Sequence, residues 1–383
     1  MAEINNDHNV YILGAGFSAA RGLPLISDFM FALRDAHQWL AAENRRSEAD
    51  SVEQVLKFRL HSTPTAYRVQ IDLENIEDLF SLAAAADDSL TQHIRIAIAA
   101  TLDYRQAITA IPKTRFNLEM GGPPLPKCLK ENVIHAGATP SASQIEVLTY
   151  DFLLAGLLGY LDANLPYQGN SIVSFNYDLL VENALVSLKV PFSYGFGNRT
   201  VVEDPTAETF QLRPDAKVEL LELHGSANWV YPGGRGGKLR IFDSYERLHT
   251  AGYIPELVPP TWRKSFDGPL THVWRRALEQ ISRATRLVVI GFSMPPTDLH
   301  FKYLLAAGLR ENISLREIVF VNPDCQSVEV RARALFGDLD RRPRARLVQT
   351  DTKNFVGQGE LPTTVASVGR TIHRSIQQVF HSY

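Results

Sequence analysis

Short apolar runs alternate with longer amphipathic stretches along most of the chain. Runs of five or six mainly apolar residues predict buried β-strands at about 9–13, 171–175, 218–223, 286–290, 317–321 and 345–349. Apolar residues spaced three and four apart predict helices at about 179–188, 271–284, 299–309 and 327–336. Alternation of strands and helices is typical of a parallel sheet, which binds ligands at the carboxyl ends of its strands.

The first predicted strand is not followed by the second strand that this alternation requires. From about residue 25 to 165 the pattern is mostly helical, with Phe29, Leu33 and Ala36 on one helix face. Glycines and prolines interrupt it at 111–140 and predict a long loop, after which a helical pattern resumes at 143–161. We therefore predict an α/β fold: a Rossmann-like doubly wound parallel sheet with a large helical insertion after the first strand.

Composition excludes several classes of protein. The 383 residues include 39 Lys and Arg against 42 Asp and Glu, a net charge of −3, which disfavours a broadly basic nucleic-acid-coating protein. Two cysteines, Cys128 and Cys325, are too few for a disulfide framework or a four-cysteine zinc module. We interpret the arginine-rich stretch at 331–346 as solvated surface and expect no direct nucleic-acid binding. The N-terminal residues lack a secretion signal and no run is apolar enough to cross a bilayer, so we expect a cytoplasmic protein without membrane contact.

A small-residue turn follows the first strand. With Ala19 as the third small residue it fits a dinucleotide-binding fingerprint, in which backbone N–H groups approach a pyrophosphate. The alternative is a merely structural strand-to-helix turn. No acidic residue ends a strand about 20 residues later, since Asp35 falls within a helical pattern, and this disfavours an ordinary nicotinamide dehydrogenase. The turn consists of Gly14, Ala15, Gly16, Phe17 and Ser18.

Polar residues also follow the next two strands. Asn176 and Asp178 come directly after one, where they could bind ribose hydroxyls or orient a water; the alternative is that they cap the next helix. His224 follows the other and could accept a proton near neutral pH, although a lone histidine is more often structural. Polar residues at the ends of several parallel strands predict one shared crevice.

In this order the motifs resemble the sirtuin superfamily of NAD-consuming enzymes. Two departures stand out: no cysteine pairs for a zinc ribbon follow His224, and no arginine follows Phe29. Both departures, together with the helical insertion, resemble the bacterial sirtuin-like NAD hydrolases of anti-phage defence. The matching motifs are Gly14–Ser18, Gly22–Pro24, Asn176–Asp178, His224–Ser226, Gly291–Ser293 and Val321–Asn322.

The resemblance implies a role for each matching residue. Asn176 and His224 would be catalytic, and Asp178 would contact the nicotinamide ribose. The Gly14–Ser18 turn would hold the pyrophosphate, and Leu23 and Pro24 would belong to a lid over the nicotinamide. The remaining cofactor-binding residues would be Gly291, Ser293 and Asn322, the last two near the adenosine half.

The function implied by the resemblance is hydrolysis of NAD+ to nicotinamide and ADP-ribose, without a metal. The protein would be a gated effector that depletes NAD+ in anti-phage defence by abortive infection, in which residues 1–26 and 168–383 form the NAD-binding catalytic domain. Residues 27–167 would form a helical assembly subdomain, with a passive structural cap as the alternative. A homo-oligomer is implied, with a translocase-like ATPase or an Argonaute-type sensor as a possible partner. The rival functions are an NAD-dependent protein deacylase or ADP-ribosyltransferase, and a non-catalytic NAD- or ADP-ribose-binding regulatory subunit.

Overall fold

The computed structural model describes most of the chain in ten segments. The Gly-Pro-rich residues 121–126 of the predicted loop, and the arginines at 341 and 342, lie outside them. The described segments are 8–86, 89–117, 134–135, 144–158, 170–196, 210–231, 239–261, 268–295, 298–336 and 344–349.

A seven-stranded parallel sheet forms the centre of the described residues. Its spatial order is β12-β11-β10-β1-β5-β7-β6, so the first strand of the chain lies in the middle. Every residue of β1 is buried, as expected for a strand that is apolar after its first residue in a sheet that is covered on both faces. The strands of this sheet are β1 (Asn9–Leu13), β5 (Ser171–Ser174), β6 (Phe192–Ser193), β7 (Val218–Glu222), β10 (Arg286–Ile290), β11 (Glu317–Asn322) and β12 (Arg344–Gln349).

Strands are added on both sides of β1. The chain first forms β5, β6 and β7 on one side, with β6 at the outer edge, and then returns to form β10, β11 and β12 on the other side. Because such crossovers are right-handed, helices come to lie on opposite faces of the sheet, which is the doubly wound arrangement. The strand order therefore reverses between β1 and β10, and ligands of such folds bind at the carboxyl ends of the strands beside this reversal.

The helices of the sheet domain follow the predicted pattern. The first lies directly after β1, α9 packs on β7, and α11 packs on β11 and β12. The predicted α/β class and the doubly wound parallel sheet are confirmed by this order. These helices are α1 (Ala15–Ser18), α7 (Leu180–Ser187), α8 (Tyr245–Thr250), α9 (Pro269–Arg283), α10 (Leu299–Leu309) and α11 (Cys325–Phe336).

The predicted helical insertion is present between β1 and β5. Its first four helices pack against one another and its last packs on α7, and the apolar faces of all five join the same continuous hydrophobic cluster as the central strands. No helix in the described segments is long and apolar enough to cross a membrane. The helices of the insertion are α2 (Phe29–Ala42), α3 (Arg46–Val69), α4 (Ile76–Ala86), α5 (Leu90–Ile108) and α6 (Thr149–Leu157).

Two parts of the insertion differ from the prediction. The predicted loop at 111–140 contains strands, and the predicted helix at 143–161 begins with one, so a small antiparallel sheet of order β2-β4-β3 lies here. Residues 144–147 alternate polar and apolar side chains, which is the period of a strand, but four residues were too few to interrupt the surrounding helical pattern. The short strands β8 and β9 of a second antiparallel pair were also missed. These strands are β2 (Lys113–Asn117), β3 (Ile134–His135), β4 (Gln144–Leu148), β8 (Trp229–Val230) and β9 (Arg240–Ile241).

Candidate active site

The carboxyl ends of four neighbouring strands lie in one row. Leu13 of β1 pairs with Ile290 on one side and with Ser174 on the other, and Ser174 pairs with Glu222 of β7. The hydrogen bonding continues one residue further, since Gly14 N–H donates to the Ile290 carbonyl at 3.0 Å. The predicted motifs therefore leave the sheet from the same edge, as a parallel sheet requires.

The two glycine turns beside the strand-order reversal pack backbone against backbone. Gly16 N–H donates to the Gly291 carbonyl at 2.8 Å, and a Cβ on Gly14 would lie 2.6 Å from Cα of Phe292. Gly291 has a φ of +64°, and a Cβ there would lie 2.1 Å from the Phe17 nitrogen. This close contact requires glycine at these positions whether or not a ligand binds, because no larger residue fits between the turns.

Ser18 connects the β1 turn to the residues that follow β5. Asn176 Nδ2 donates to Ser18 Oγ at 3.0 Å and to the Gly14 carbonyl at 3.1 Å, and Ser18 Oγ donates to Asp178 Oδ2 at 2.7 Å. With both amide hydrogens of Asn176 engaged, its Oδ1 is the remaining acceptor of the side chain. The sequence predicted Asn176 and Asp178 as one cluster, and the structure joins them to the glycine turn through Ser18.

Asp178 also satisfies the capping alternative. Its Oδ1 accepts the backbone N–H of Leu180, the first residue of α7, at 3.1 Å. Burial raises the pKa of the Asp178 carboxyl above its ordinary value, while the hydrogen bonds from Ser18 and Leu180 act in the opposite direction. Helix capping and a place in the candidate site are therefore both properties of this one residue.

His224 lies in an aromatic setting after β7. Its ring packs edge-on against Phe175 at 5.2 Å and stacks on Tyr177 at 6.0 Å between centroids. Gly225 has a φ of +78°, and a Cβ there would lie 2.0 Å from the Glu256 carbonyl oxygen. This glycine therefore admits the segment around Glu256, whose neighbour Leu257 bridges to Gly225.

The other predicted residues occupy mixed positions around this cluster. In the turn after β1, Phe17 is buried and Ala15 is exposed, and further along Leu23 and Pro24 are buried. Ser293 is exposed, and its carbonyl accepts a hydrogen bond from Arg331 at 2.6 Å.

Asn322 ends β11 and is buried. Its Oδ1 accepts the backbone N–H of Asp324 at 3.0 Å, and its Nδ2 lies 3.5 Å from the Phe292 carbonyl. Asn322 thus supports the Gly291 turn, whereas its predicted contact with the adenosine half of a cofactor stays a prediction.

Several residues of the site gave little signal in the sequence. Tyr150 of α6 donates to the Phe17 carbonyl at 2.8 Å, and Trp274 of α9 donates to the Leu223 carbonyl at 2.9 Å, next to His224. Arg21 reaches the end of α5. Tyr150 and Trp274 come from elements remote in sequence, and the α5 partner of Arg21 lies 85 residues away, so no local spacing could have predicted these contacts. Only Phe175, which is flanked by polar motif residues, carried a local signal.

Two buried carboxyls lie behind the cluster. Glu182 of α7 accepts a hydrogen bond from Tyr194 at 3.1 Å, and burial together with the nearby Asp178 raises its pKa to about 8. Burial and Glu182 also raise the pKa of Glu222 well above its usual range. Because Glu182 and Glu222 lie close together, it is costly for both carboxyls to ionise. This side of the site therefore carries less negative charge than Asp178, Glu182 and Glu222 would carry if all three were ionised.

The chemistry available to this arrangement is that of a closed polar site. Asn176, Asp178 and His224 are 9%, 8% and 5% exposed. Together they offer an amide acceptor, a carboxylate and an imidazole at adjoining strand ends, a set suited to orienting a hydroxyl or a water and accepting its proton. Among the described segments, no group of three or more His, Cys, Asp or Glu residues is arranged to hold a metal ion.

Comparison with known proteins finds matches among solved structures only. No family model matches the sequence, and no curated protein matches it. Among solved structures, the chain is similar to a Sir2 enzyme studied for mechanism and regulation, with 11% identity, a TM-score of 0.39 and coverage of 98% of this chain and 94% of that one. It is also similar to a Sir2 homologue bound to ADP-ribose, with 12% identity, a TM-score of 0.40 and coverage of 98% and 94%. A Sir2 homologue bound to NAD gives 13% identity, a TM-score of 0.35 and coverage of 96% and 90%. Identities and TM-scores this low transfer no property of those proteins to this chain.

Proposed function

We propose that this chain is an NAD+ glycohydrolase that releases nicotinamide and ADP-ribose. The observation that carries the proposal is the hydrogen-bonded group of Ser18, Asn176 and Asp178 beside His224, at the carboxyl ends of β1, β5 and β7. These four residues come from three motifs of the set that resembles the sirtuins, and these motifs meet at one sheet edge. The strand-order reversal lies next to them, where such a fold accepts a dinucleotide.

The proposed reaction breaks the bond between C1′ of the ribose and the nicotinamide nitrogen. The bonding electrons leave with nicotinamide, which departs as a neutral base, and a water oxygen bonds to C1′ through an oxocarbenium-like transition state. Asn176 Oδ1 accepts a hydrogen bond from that water and orients it, and His224 removes one proton, so that the other hydrogen stays on the new C1′ hydroxyl. The Asp178 carboxylate contacts ribose hydroxyls and favours the cationic sugar.

The surroundings of the cluster suit this chemistry. Phe175 stacks on Phe292 with ring centroids 4.9 Å apart and also contacts His224, so apolar rings exclude bulk water from the imidazole. Fixed dipoles act more strongly where water is excluded, and a single admitted water is then the available nucleophile.

Gating is the second part of the proposal. An unrestrained NAD+ hydrolase would harm the cell that makes it, and the three polar residues are almost completely buried in this arrangement. We infer that residues 27–167 form the regulatory and assembly subdomain of a homo-oligomeric effector in anti-phage defence. A translocase-like ATPase or Argonaute-type partner would supply the trigger.

The test is a product analysis on purified protein incubated with NAD+, with and without an acylated peptide. Free ADP-ribose formed without an acceptor supports hydrolysis. Turnover that requires the peptide indicates a deacylase or ADP-ribosyltransferase, and NAD+ that is bound but not consumed indicates a regulatory subunit.

Site variants extend this test. Asn176→Ala and His224→Ala should each lower turnover by about 100-fold or more, the range expected for a positioned acid–base group. Asn183→Ala and His61→Ala are matched controls, since both residues are exposed on helices outside the cluster. If Asn176→Ala and His224→Ala consume NAD+ as fast as the controls do, the assignment of these roles is wrong.

A further inference from the structure

Helix α5 of the insertion contacts both sides of the candidate site. Its last turn meets the segment that follows the glycine turn, and its first half reaches the segment beside His224. Arg95 and Arg105, which make these contacts, lie ten residues apart in one helix, a rise of about 15 Å.

The contact at the C-terminal end of α5 is reciprocal. Arg21, which is 8% exposed, donates through one guanidinium nitrogen to the Gln106 carbonyl at 2.7 Å and through the other to the Thr109 carbonyl. In return, Arg105 Nε donates to the Gly22 carbonyl at 2.8 Å. Carbonyls at a helix C-terminus carry partial negative charge, so a buried cation is stabilised there. Arg21 lies three residues after Ser18, so this double contact fixes the turn that holds Asn176 and Asp178.

The contact in the first half of α5 reaches the opposite side of the site. Arg95 forms an ion pair with Glu256 at 3.2 Å. The Glu256 carbonyl faces Gly225, and two residues later Val258 N–H donates to the His224 carbonyl at 2.8 Å. Arg95 therefore holds the segment that packs directly against the His224 backbone.

The helix itself is firmly held. Nine residues of α5 are buried, and Asp103 accepts a hydrogen bond from Arg45, next to the start of α3, at 2.5 Å. A rigid helix attached at two points fixes the distance between those points, here the Ser18 turn and the His224 segment.

We propose that α5 is a brace that sets the separation of the two halves of the site, with Arg21, Arg95 and Arg105 as positioning residues. The brace links the insertion to the chemistry, so a partner or second copy that displaces α5 changes the geometry of Ser18 and His224 together. The activity consequences rest on the proposed NAD+ hydrolysis, whereas the mechanical link does not.

The kinetic test uses the full chain with Arg105→Ala, Arg95→Ala and the double variant. Each single change should lower kcat about 10- to 100-fold, the cost of a misplacement near 1 Å, with KM changed much less. The kcat of the double variant should be no lower than that of the worse single variant. Releasing α5 at either end already allows the distance between the Ser18 turn and the His224 segment to change. Arg105→Lys keeps one donor for the Gly22 carbonyl and should recover most of the loss. Arg34→Ala removes an ion pair with Glu74 that is remote from the site and serves as the control.

Hydrogen–deuterium exchange tests the same brace without any activity. Amides at 14–22 and 224–228 should both exchange faster in Arg105→Ala than in wild type or in Arg34→Ala. Unchanged exchange at 224–228 overturns the brace. It is also overturned if the kcat losses of the two single variants multiply in the double variant, or if the variants lower the melting temperature without changing kcat. If wild-type protein consumes no NAD+, the proposed function fails, and the exchange result still decides whether α5 couples the two segments.

Discussion

Substitution of Gly291 by alanine tests whether the contact between the two glycine turns holds the site together. Gly291 has a φ of +64°, a conformation that costs an alanine about 1–2 kcal/mol. Its Cβ would lie 2.1 Å from the Phe17 nitrogen and 2.4 Å from the Gly16 carbonyl carbon. These are backbone atoms that cannot rotate away, so overpacking adds about 1–3 kcal/mol. The Gly291→Ala change should therefore lower the free energy of unfolding by about 2–5 kcal/mol in total.

A second glycine provides the matched control. Gly252 has a φ of +81°, and a Cβ there would meet nothing within 4 Å, so Gly252→Ala carries the conformational cost alone, about 1–2 kcal/mol. The reduced entropy of the unfolded chain offsets both changes equally. Denaturant unfolding followed by circular dichroism gives the difference, which should be about 1–3 kcal/mol. Equal destabilisation by the two variants would refute the steric reasoning.

Two further changes test the buried polar groups. Glu182 has its pKa raised from an ordinary 4.5 to about 8, so its stabilising contribution is present below pH 4.5 and is lost as pH rises to about 8. Glu182→Gln cannot ionise, so its melting temperature relative to wild type should increase between pH 5 and pH 8. A difference in melting temperature that does not change with pH would contradict the raised pKa of Glu182. Tyr150→Phe removes the donor to the Phe17 carbonyl and keeps the ring contact, so it should cost about 1–3 kcal/mol of unfolding free energy. The exposed Tyr303→Phe should cost almost nothing in the same denaturant titration, and an equal effect of the two would show that the Tyr150 hydrogen bond contributes nothing.

The buried strands and the glycine turn were predictable because their signals are local. A strand covered on both faces is mostly apolar, and this pattern located Asn9–Leu13 and Arg286–Ile290, each of which begins with one polar residue, with their observed bounds. The end of each strand then marked the polar residues that follow it. Since parallel strands end at one edge, Asn176 and His224 could be assigned to one crevice before any contact was known.

Local patterns failed where an element is short or where its partner is distant. Strand β4 was hidden in a helical context, and its pairing with β2 and β3 across distant positions is what makes it a strand. Strand β8 has two residues, too few for any period to register.

The sequence by itself determined the sheet class, the helical insertion and the residues that gather at the strand ends, because burial and strand ends leave patterns within a few residues. Only the tertiary structure decided that Ser18 joins Asn176 to Asp178 and that Gly16 packs on Gly291. It also brought Arg21 and Arg95 to opposite sides of the site through one helix. Such contacts join positions separated by tens to hundreds of residues, and their energies depend on distances that hydrophobic periodicity does not encode.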